Sequence, residues 1–155
     1  MLKDIFRKMK PIIKKELKTA KEVAIAAGEA LLEKKESFNK TIFSSNKDIK
    51  LKADIVAENI IKELLNNKSN FPILAEESGK SSEVLGDIFW VVDPLDGTAN
   101  YARDIPICCI SIALMKNLEP IIGVIYDFNN KDLYEGSIDT KACVNELEIN
   151  VSKIS

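Results

Sequence analysis

An apolar segment, Trp90-Val91-Val92, runs straight into two carboxylates, Asp93 and Asp96, set three residues apart. Between and after them, Pro94 fixes φ and has no amide hydrogen, while Gly97 permits backbone conformations closed to other residues. So stiff a turn can aim both carboxylates, and the Leu95 carbonyl between them, at one point. Donors that are all oxygen suit a hard cation such as magnesium. From Thr98 onward the chain reads as the start of a short helix, whose free amides would meet an anion at the same place. Metal ligands beside an amide cradle describe a phosphate site. The competing reading is a turn in which Asp93 and Asp96 only satisfy local amides. For a bare D-x-x-D that reading is the better one; the full string D-P-L-D-G-T after a buried strand reverses the preference.

The spacing is not that of an EF-hand loop, whose acidic positions recur every second residue before the glycine. It is also one residue longer than the D-x-D-G-T signature of phosphoaspartyl hydrolases. A second acidic pair, Glu76-Glu77, closes the short apolar run Pro72-Ile73-Leu74-Ala75. Alone it carries little, because adjacent glutamates in a loop are usually solvated. A third candidate, Asp54, opens a helical pattern, where capping the helix and serving a site are both open.

These acids need elements to hold them. Ile13, Leu17, Ala20, Ala24, Ala27 and Leu31 recur every three or four residues, the mark of an amphipathic helix between about Ile5 and Lys35. Pro11 places the start of its regular part nearby. A polar stretch, Ser37 to Lys52, reads as a turn with weak strands. Val56/Ala57, Ile60/Ile61 and Leu64/Leu65 then give a second helix, headed by Asp54. Beyond Asn66–Asn70 the apolar runs shorten to strand length: Phe71–Ala75, Ile88–Val92, Ile105–Met115, Pro120–Asp127 and Lys131–Glu135. Lys116-Asn117-Leu118-Glu119 and Asn129-Asn130 separate runs that can pair as hairpins. Two helices followed by mostly antiparallel strands predict an α+β fold, with the helices on one face of the sheet.

Composition narrows the function classes. With 46% apolar and 30% charged residues over 155 positions, the chain suits one globular domain with a substantial core. A net charge of −2 offers no field for nucleic acid or a membrane surface. Lys3, Arg7, Lys8, Lys10, Lys14 and Lys15 alternate with apolar residues and read as a solvated helix face rather than a signal peptide or polybasic anchor. No apolar run approaches the ~20 residues that span a bilayer. Three cysteines (Cys108, Cys109, Cys143) without a C-x-x-C pair, and no histidine at all, exclude the usual zinc sites and any imidazole base. Reduced thiols are the plain reading, and the cytoplasm is the expected compartment.

Three segments together resemble the inositol monophosphatase family. They are Ala53-Asp54-Ile55-Val56-Ala57-Glu58, Leu74-Ala75-Glu76-Glu77-Ser78-Gly79 and Asp93-Pro94-Leu95-Asp96-Gly97-Thr98-Ala99-Asn100-Tyr101. In that family an Asp starting a helix, a strand ending in Glu-Glu, and D-P-[IL]-D-G-T occur in this order. The likeness continues through Gly123-Val124-Ile125-Tyr126 and fades near Val151-Ser152-Lys153. The resemblance implies that Glu76, Asp93, the Leu95 carbonyl and Asp96 bind Mg²⁺, with Asp93 bridging two ions. It implies that Asp54 and Thr98 orient and deprotonate the attacking water, with Glu76 counted in the same catalytic set, and that the Gly97 and Thr98 amides cradle the phosphate. The implied substrate is a small phosphomonoester, inositol monophosphate or a related sugar phosphate; a nucleotide 3′-phosphatase is the alternative within the family.

The departures are equally specific. Family members are longer and carry a second lobe with a further Trp-Asp ligand and most sugar contacts. Residues 1–155 are therefore expected to form a single domain, the metal-binding N-terminal lobe of an αβαβα sandwich whose C-terminal lobe is absent. The family's G-x-G-A-x-x-N-G pattern is read here as Asp139-Thr140-Lys141-Ala142-Cys143-Val144-Asn145-Glu146, with three glycines replaced, which bears on the geometry of that hairpin. A homo-oligomer, or pairing with the missing lobe, is expected. A catalytically incompetent fragment or partner subunit is the reading from outside the enzyme class.

Overall fold

The computed structural model describes the backbone of residues 2–38, 41–44 and 49–152, and side chains within 9–38 and 52–152. The side chains of Lys3, Arg7 and Lys8, part of the expected basic face, lie outside the described residues, as do residues 39–40 and 45–48 of the expected weak-strand segment and Lys153.

Helix α1 spans Leu2–Glu33, with Pro11 inside it rather than at its start. Proline removes one i→i−4 bond, but Met9 and Ile13 on either side of it are both buried and hold the two flanks to the core. The buried stripe continues through Ala20, Val23, Ala24, Ala27 and Leu31. After a short α2 (Lys35–Phe38), strands β1 (Thr41–Ser44) and β2 (Ile49–Leu51) form a separate antiparallel pair. Helix α3 (Lys52–Lys68) starts two residues before Asp54, which stands inside its first turn, and it buries Ala53, Ala57, Ile61 and Leu65 on one face.

The remaining strands are β3 (Ile73–Ala75), β4 (Gly79–Lys80), β5 (Ile88–Asp96), β6 (Cys109–Lys116), β7 (Glu119–Asp127), β8 (Asp132–Ser137), β9 (Thr140–Val144) and β10 (Leu147–Glu148). They form one eight-stranded sheet in the order β10-β9-β8-β7-β6-β5-β3-β4, antiparallel except for the β3–β5 pair. Between β5 and β6 lies the five-residue α4 (Thr98–Ala102). The fold is thus α+β with a mostly antiparallel sheet. Helix α1 lies across β6, β7 and β8, and α3 across β5. The β6–β7 hairpin turns at Asn117-Leu118, both at positive φ, the backbone a two-residue hairpin loop needs. The C-terminal hairpin forms despite its missing glycines, because Asn145 and Glu146 take φ of 48° and 68°. Asn145 tolerates this region better than most residues, and its side-chain oxygen accepts from the Leu133 amide at 2.9 Å.

The face of the sheet away from the helices is open. Ile125, Tyr134, Ile138 and Ile149 are exposed around a shallow groove of about 460 Å³. Among the described residues no helix is long and apolar enough to cross a membrane.

Helix and sheet meet most tightly at Gly28, where a Cβ would stand 2.7 Å from the Tyr126 ring and 2.8 Å from Phe128 Cβ. Gly28→Ala gains about 1 kcal/mol in helix propensity but overpacks a core site, at a cost of about 1–3 kcal/mol. The expected outcome is net destabilisation, read as a lower midpoint in urea unfolding with an unchanged slope.

Candidate active site

The site is built where β3 and β5 run parallel and end side by side. Their register pairs Ile73 with Trp90, Leu74 with Val91 and Ala75 with Val92, and the Glu76 amide donates to the Val92 carbonyl at 3.1 Å. Glu76 and Asp93, the next residues after the paired segments, thus set their carboxyl groups side by side, close enough for each to shift the other. Glu76 as a residue is exposed, but partial burial of its carboxyl, with Asp93 beside it, pushes that group up to about 7. Asp93 is also raised, first by burial, though its bonds to Glu76 and the Leu95 amide oppose the shift. Two acids this close cannot both ionise cheaply unless a proton or a cation lies between them.

β5 does not stop at Val92, as its apolar run suggested, but continues to Asp96. Its pairing with β6 passes from Asp93↔Ser111 to Asp96↔Cys109, so three steps on one strand answer two on the other. That is a β-bulge, a place in a sheet where Pro94 is tolerated without its amide hydrogen. In a regular strand residues three apart point to opposite faces. Here the extra residue resets the alternation: Pro94 and Leu95 are both buried, and Asp93 and Asp96 both line cavities on the face away from the helices. The Leu95 amide donates back to Asp93 Oδ1 at 3.1 Å.

The second group comes from α3 and α4. The Thr98 hydroxyl lies 2.8 Å from Asp54 Oδ1 and 3.1 Å from the Leu95 carbonyl. It has a single proton, and the shorter contact to a carboxylate is the stronger one. Asp54 is only 3% exposed. Gly97 precedes α4 in the left-handed region (φ 92°), and a Cβ there would meet the Ile107 carbonyl at 2.8 Å. Two constraints, conformation and space, therefore require glycine. Tyr101 ties α4 to α1 through its hydroxyl, which donates to the Leu31 carbonyl at 2.8 Å. With five residues, α4 is little more than one turn, so an anion beside it would be held by individual amides rather than by a helix dipole.

Asp96 lies beyond the bulge, near enough for its charge to raise Asp93. It is exposed and lines a separate cavity of about 460 Å³ with Gly97, Asn100, Cys109, Asp127 and Asn130. Burial raises the Cys109 thiol to about 11, with the Asp96 charge adding to it, so this thiol is no nucleophile. Among the described residues, no three Asp, Glu or Cys side chains gather closely enough to hold an ion unaided. The donors do fit magnesium, which takes one or two carboxylates, accepts carbonyl oxygen and keeps several waters. Among the described residues, no lysine or arginine is paired with Glu76, Asp93 or Asp96.

One residue at this site was not singled out by sequence reasoning. Glu58, one helical turn after Asp54, is 3% exposed, and its Oε2 accepts from the Glu77 amide at 2.8 Å and the Ser78 amide at 3.3 Å. A signal existed: Glu58 follows Ala57 on the face of α3 that also carries Ala53 and Ile61, where a carboxylate needs a partner.

The chain is similar to known proteins over most of its length. The family model described as "Inositol monophosphatase family" matches residues 13–155. The chain belongs to the inositol monophosphatase family. An inositol-1-monophosphatase from Synechocystis is 38% identical over 106 residues, which cover 68% of this chain and 37% of that protein. A fructose-1,6-bisphosphatase/inositol-1-monophosphatase from Aquifex aeolicus is 36% identical over 146 residues, or 90% of this chain and 53% of its own length. Among solved structures, the inositol monophosphatase from Anabaena superposes with a TM-score of 0.78 at 35% identity, covering 92% of this chain and 51% of the other. The chain thus spans about half, or less, of the relatives it matches.

Gly97→Ala is expected to cost about 2 kcal/mol or more, from the left-handed φ and the contact with the Ile107 carbonyl. Urea unfolding measures it. A loss under about 0.5 kcal/mol, the level of ordinary surface substitutions, would contradict the geometry.

Proposed function

We propose that this chain supplies the metal-binding half of a magnesium-dependent phosphomonoesterase acting on inositol monophosphate or a related sugar phosphate. The observation that carries the reading is the pairing of Thr98 with Asp54 at 2.8 Å, near the Glu76 and Asp93 carboxyl groups that the β3–β5 register sets side by side. One pair can take a proton and the other can take a cation. Glu76, Asp93, the Leu95 carbonyl and Asp96 would hold magnesium. Magnesium bound there would make a coordinated water acidic and draw charge from the phosphoryl oxygens.

The chain's own residues do the rest. Because the Thr98 hydroxyl donates to Asp54, its oxygen lone pairs face outward as acceptors for a proton of the attacking water. That proton passes through Thr98 Oγ1 as the hydroxyl proton moves to Asp54 Oδ1, so the charge ends on a carboxylate already oriented for it. The Gly97 and Thr98 amides meet the phosphate oxygens. The adjoining cavity sets Asp96, Asn100, Asp127 and Asn130 beside Pro106, Ile107 and Ile125, a mixed polar and apolar wall that suits a ring with hydroxyl edges and C–H faces. Neither histidine nor a covalent nucleophile is needed, because the positioned charges stabilise the departing alkoxide.

In an active assembly, Asp93→Asn is expected to lower phosphate release by more than about a hundredfold, beyond the range usual for groups that only support ligands. Glu77→Gln should change it by less than about tenfold, below the range usual for groups that orient metal ligands. Comparable losses in the two variants would refute the assignment of Asp93.

The 155-residue chain by itself is expected to turn over slowly and to self-associate through its open sheet face, where Ile125, Tyr134, Ile138 and Ile149 are exposed. With one side of the cleft open, water screens the charges that act on the transition state. Phosphate release from sugar phosphates in millimolar Mg²⁺, run beside light scattering, checks both statements. Rapid turnover by a monodisperse monomer would overturn them.

A further inference from the structure

We infer that Glu58 is a positioning residue that presents the Glu76 carboxylate to the metal site, and that Lys62 completes the clamp. This rests on the metal-binding reading above.

Glu76 lies in the tight turn between β3 and β4, where a short strand alone would leave its direction loose. Two peptide planes decide where its Cα–Cβ bond points. The one before it is fixed by its own amide, which donates to the Val92 carbonyl at 3.1 Å. The one after it carries the Glu77 amide, and this donates to Glu58 Oε2 at 2.8 Å. The same oxygen takes the Ser78 amide at 3.3 Å. Glu58 therefore grips the turn immediately downstream of Glu76, while β5 grips it immediately upstream.

Lys62, one turn further along α3, closes a ring. Its Nζ lies 3.7 Å from Glu58 Oε1 and donates to Ser78 Oγ at 2.8 Å. A carboxylate that is 3% exposed, bound to two amides and facing an ammonium group, is held in one orientation. Asp54 and Glu58 stand four residues apart and both are buried, so one face of α3 sets two things at once. It orients the Thr98 hydroxyl through Asp54, and it orients Glu76 through the clamp. The spacing between Asp54 and Glu58, the two carboxylates that do this, is about one helical turn. A merely structural role for Glu58, satisfying two buried amides, would stabilise the turn without any bearing on the ion.

Manganese binding separates the two roles. Mn²⁺, a spectroscopic substitute for Mg²⁺, is titrated into the full chain and the free ion followed by electron paramagnetic resonance, with thermal unfolding recorded for every variant. Glu58→Ala is expected to weaken Mn²⁺ binding by about tenfold or more, in line with other groups that orient metal ligands. Glu58→Gln keeps an acceptor oxygen for the two amides and should recover most of that loss. Amide exchange at Glu77 and Ser78 should quicken in Glu58→Ala and stay slow in Glu58→Gln. A lower unfolding temperature in Glu58→Ala with unchanged Mn²⁺ affinity would overturn the inference and leave a structural residue. Should Glu58→Ala fail to fold, Lys62→Met carries the test: a loss of about threefold or more supports the clamp, and unchanged affinity refutes it. No saturable Mn²⁺ binding by the unsubstituted chain would instead overturn the metal reading, and the inference with it.

Discussion

The parallel pairing of β3 with β5 is the contact on which the site depends. Every other neighbour in the large sheet is antiparallel and could be reached by a hairpin or short loop. The parallel pairing stops at Ala75 and Val92, and the next residue on each chain segment is a carboxylate, Glu76 on one and Asp93 on the other. Strands hydrogen-bonded neighbours apart, about 4.8 Å, leave those acids no way to avoid each other. Partial burial raises both, with Asp93 adding to the shift of Glu76 and the Asp96 and Glu77 charges adding to that of Asp93. Folding thus creates a place where negative charge is costly, and a divalent cation is the natural remedy.

The rest of the molecule is arranged to keep that place from relaxing. The bulge at Pro94-Leu95 turns two hydrophobic residues inward in succession and sends Asp93 and Asp96 outward together. Gly97 lets the chain reverse against the Ile107 carbonyl, and α4 is then tied down through Tyr101 and Leu31. Helix α3 contributes a buried carboxylate to each half of the site, and its apolar face seats it on β5. The site is therefore mounted on elements whose own packing leaves them little freedom, which is the condition for ligands to be held ready rather than gathered.

One face of the sheet is stabilised and the other is not. The helices cover β5 to β8 on one side, with Trp90, Ile110, Ile112 and Leu114 fully buried there. On the other side Ala113, Gly123 and Gly136 leave a shallow surface edged by exposed Ile125 and Tyr134. Asp93 and Asp96 open onto this uncovered side, so whatever lies over the sheet also forms the far wall of the cleft.

Much of this was legible in the residues. Periodicity in α1 and α3 marked helices because a buried stripe at a spacing of three to four residues has few other uses. The string from Asp93 to Tyr101 marked the candidate site because proline, glycine and two acids in that order have little purpose in an ordinary turn. What was not legible had a common physical cause: it depended on partners distant in sequence. Pro11 looked like a helix start, but packing at Met9 and Ile13 carries the helix through it. β5 looked as if it ended at Val92, but pairing with Cys109 extends it past the bulge. Asp54 could have been a cap, and only the approach of Thr98, 44 residues away, gave it another task. Glu58 passed unnoticed because its meaning lies in the Glu77 and Ser78 amides, some twenty residues on. Residue types and local spacing determined which groups are chemically able. Strand register and helix docking, which no local pattern encodes, decided which of those groups meet.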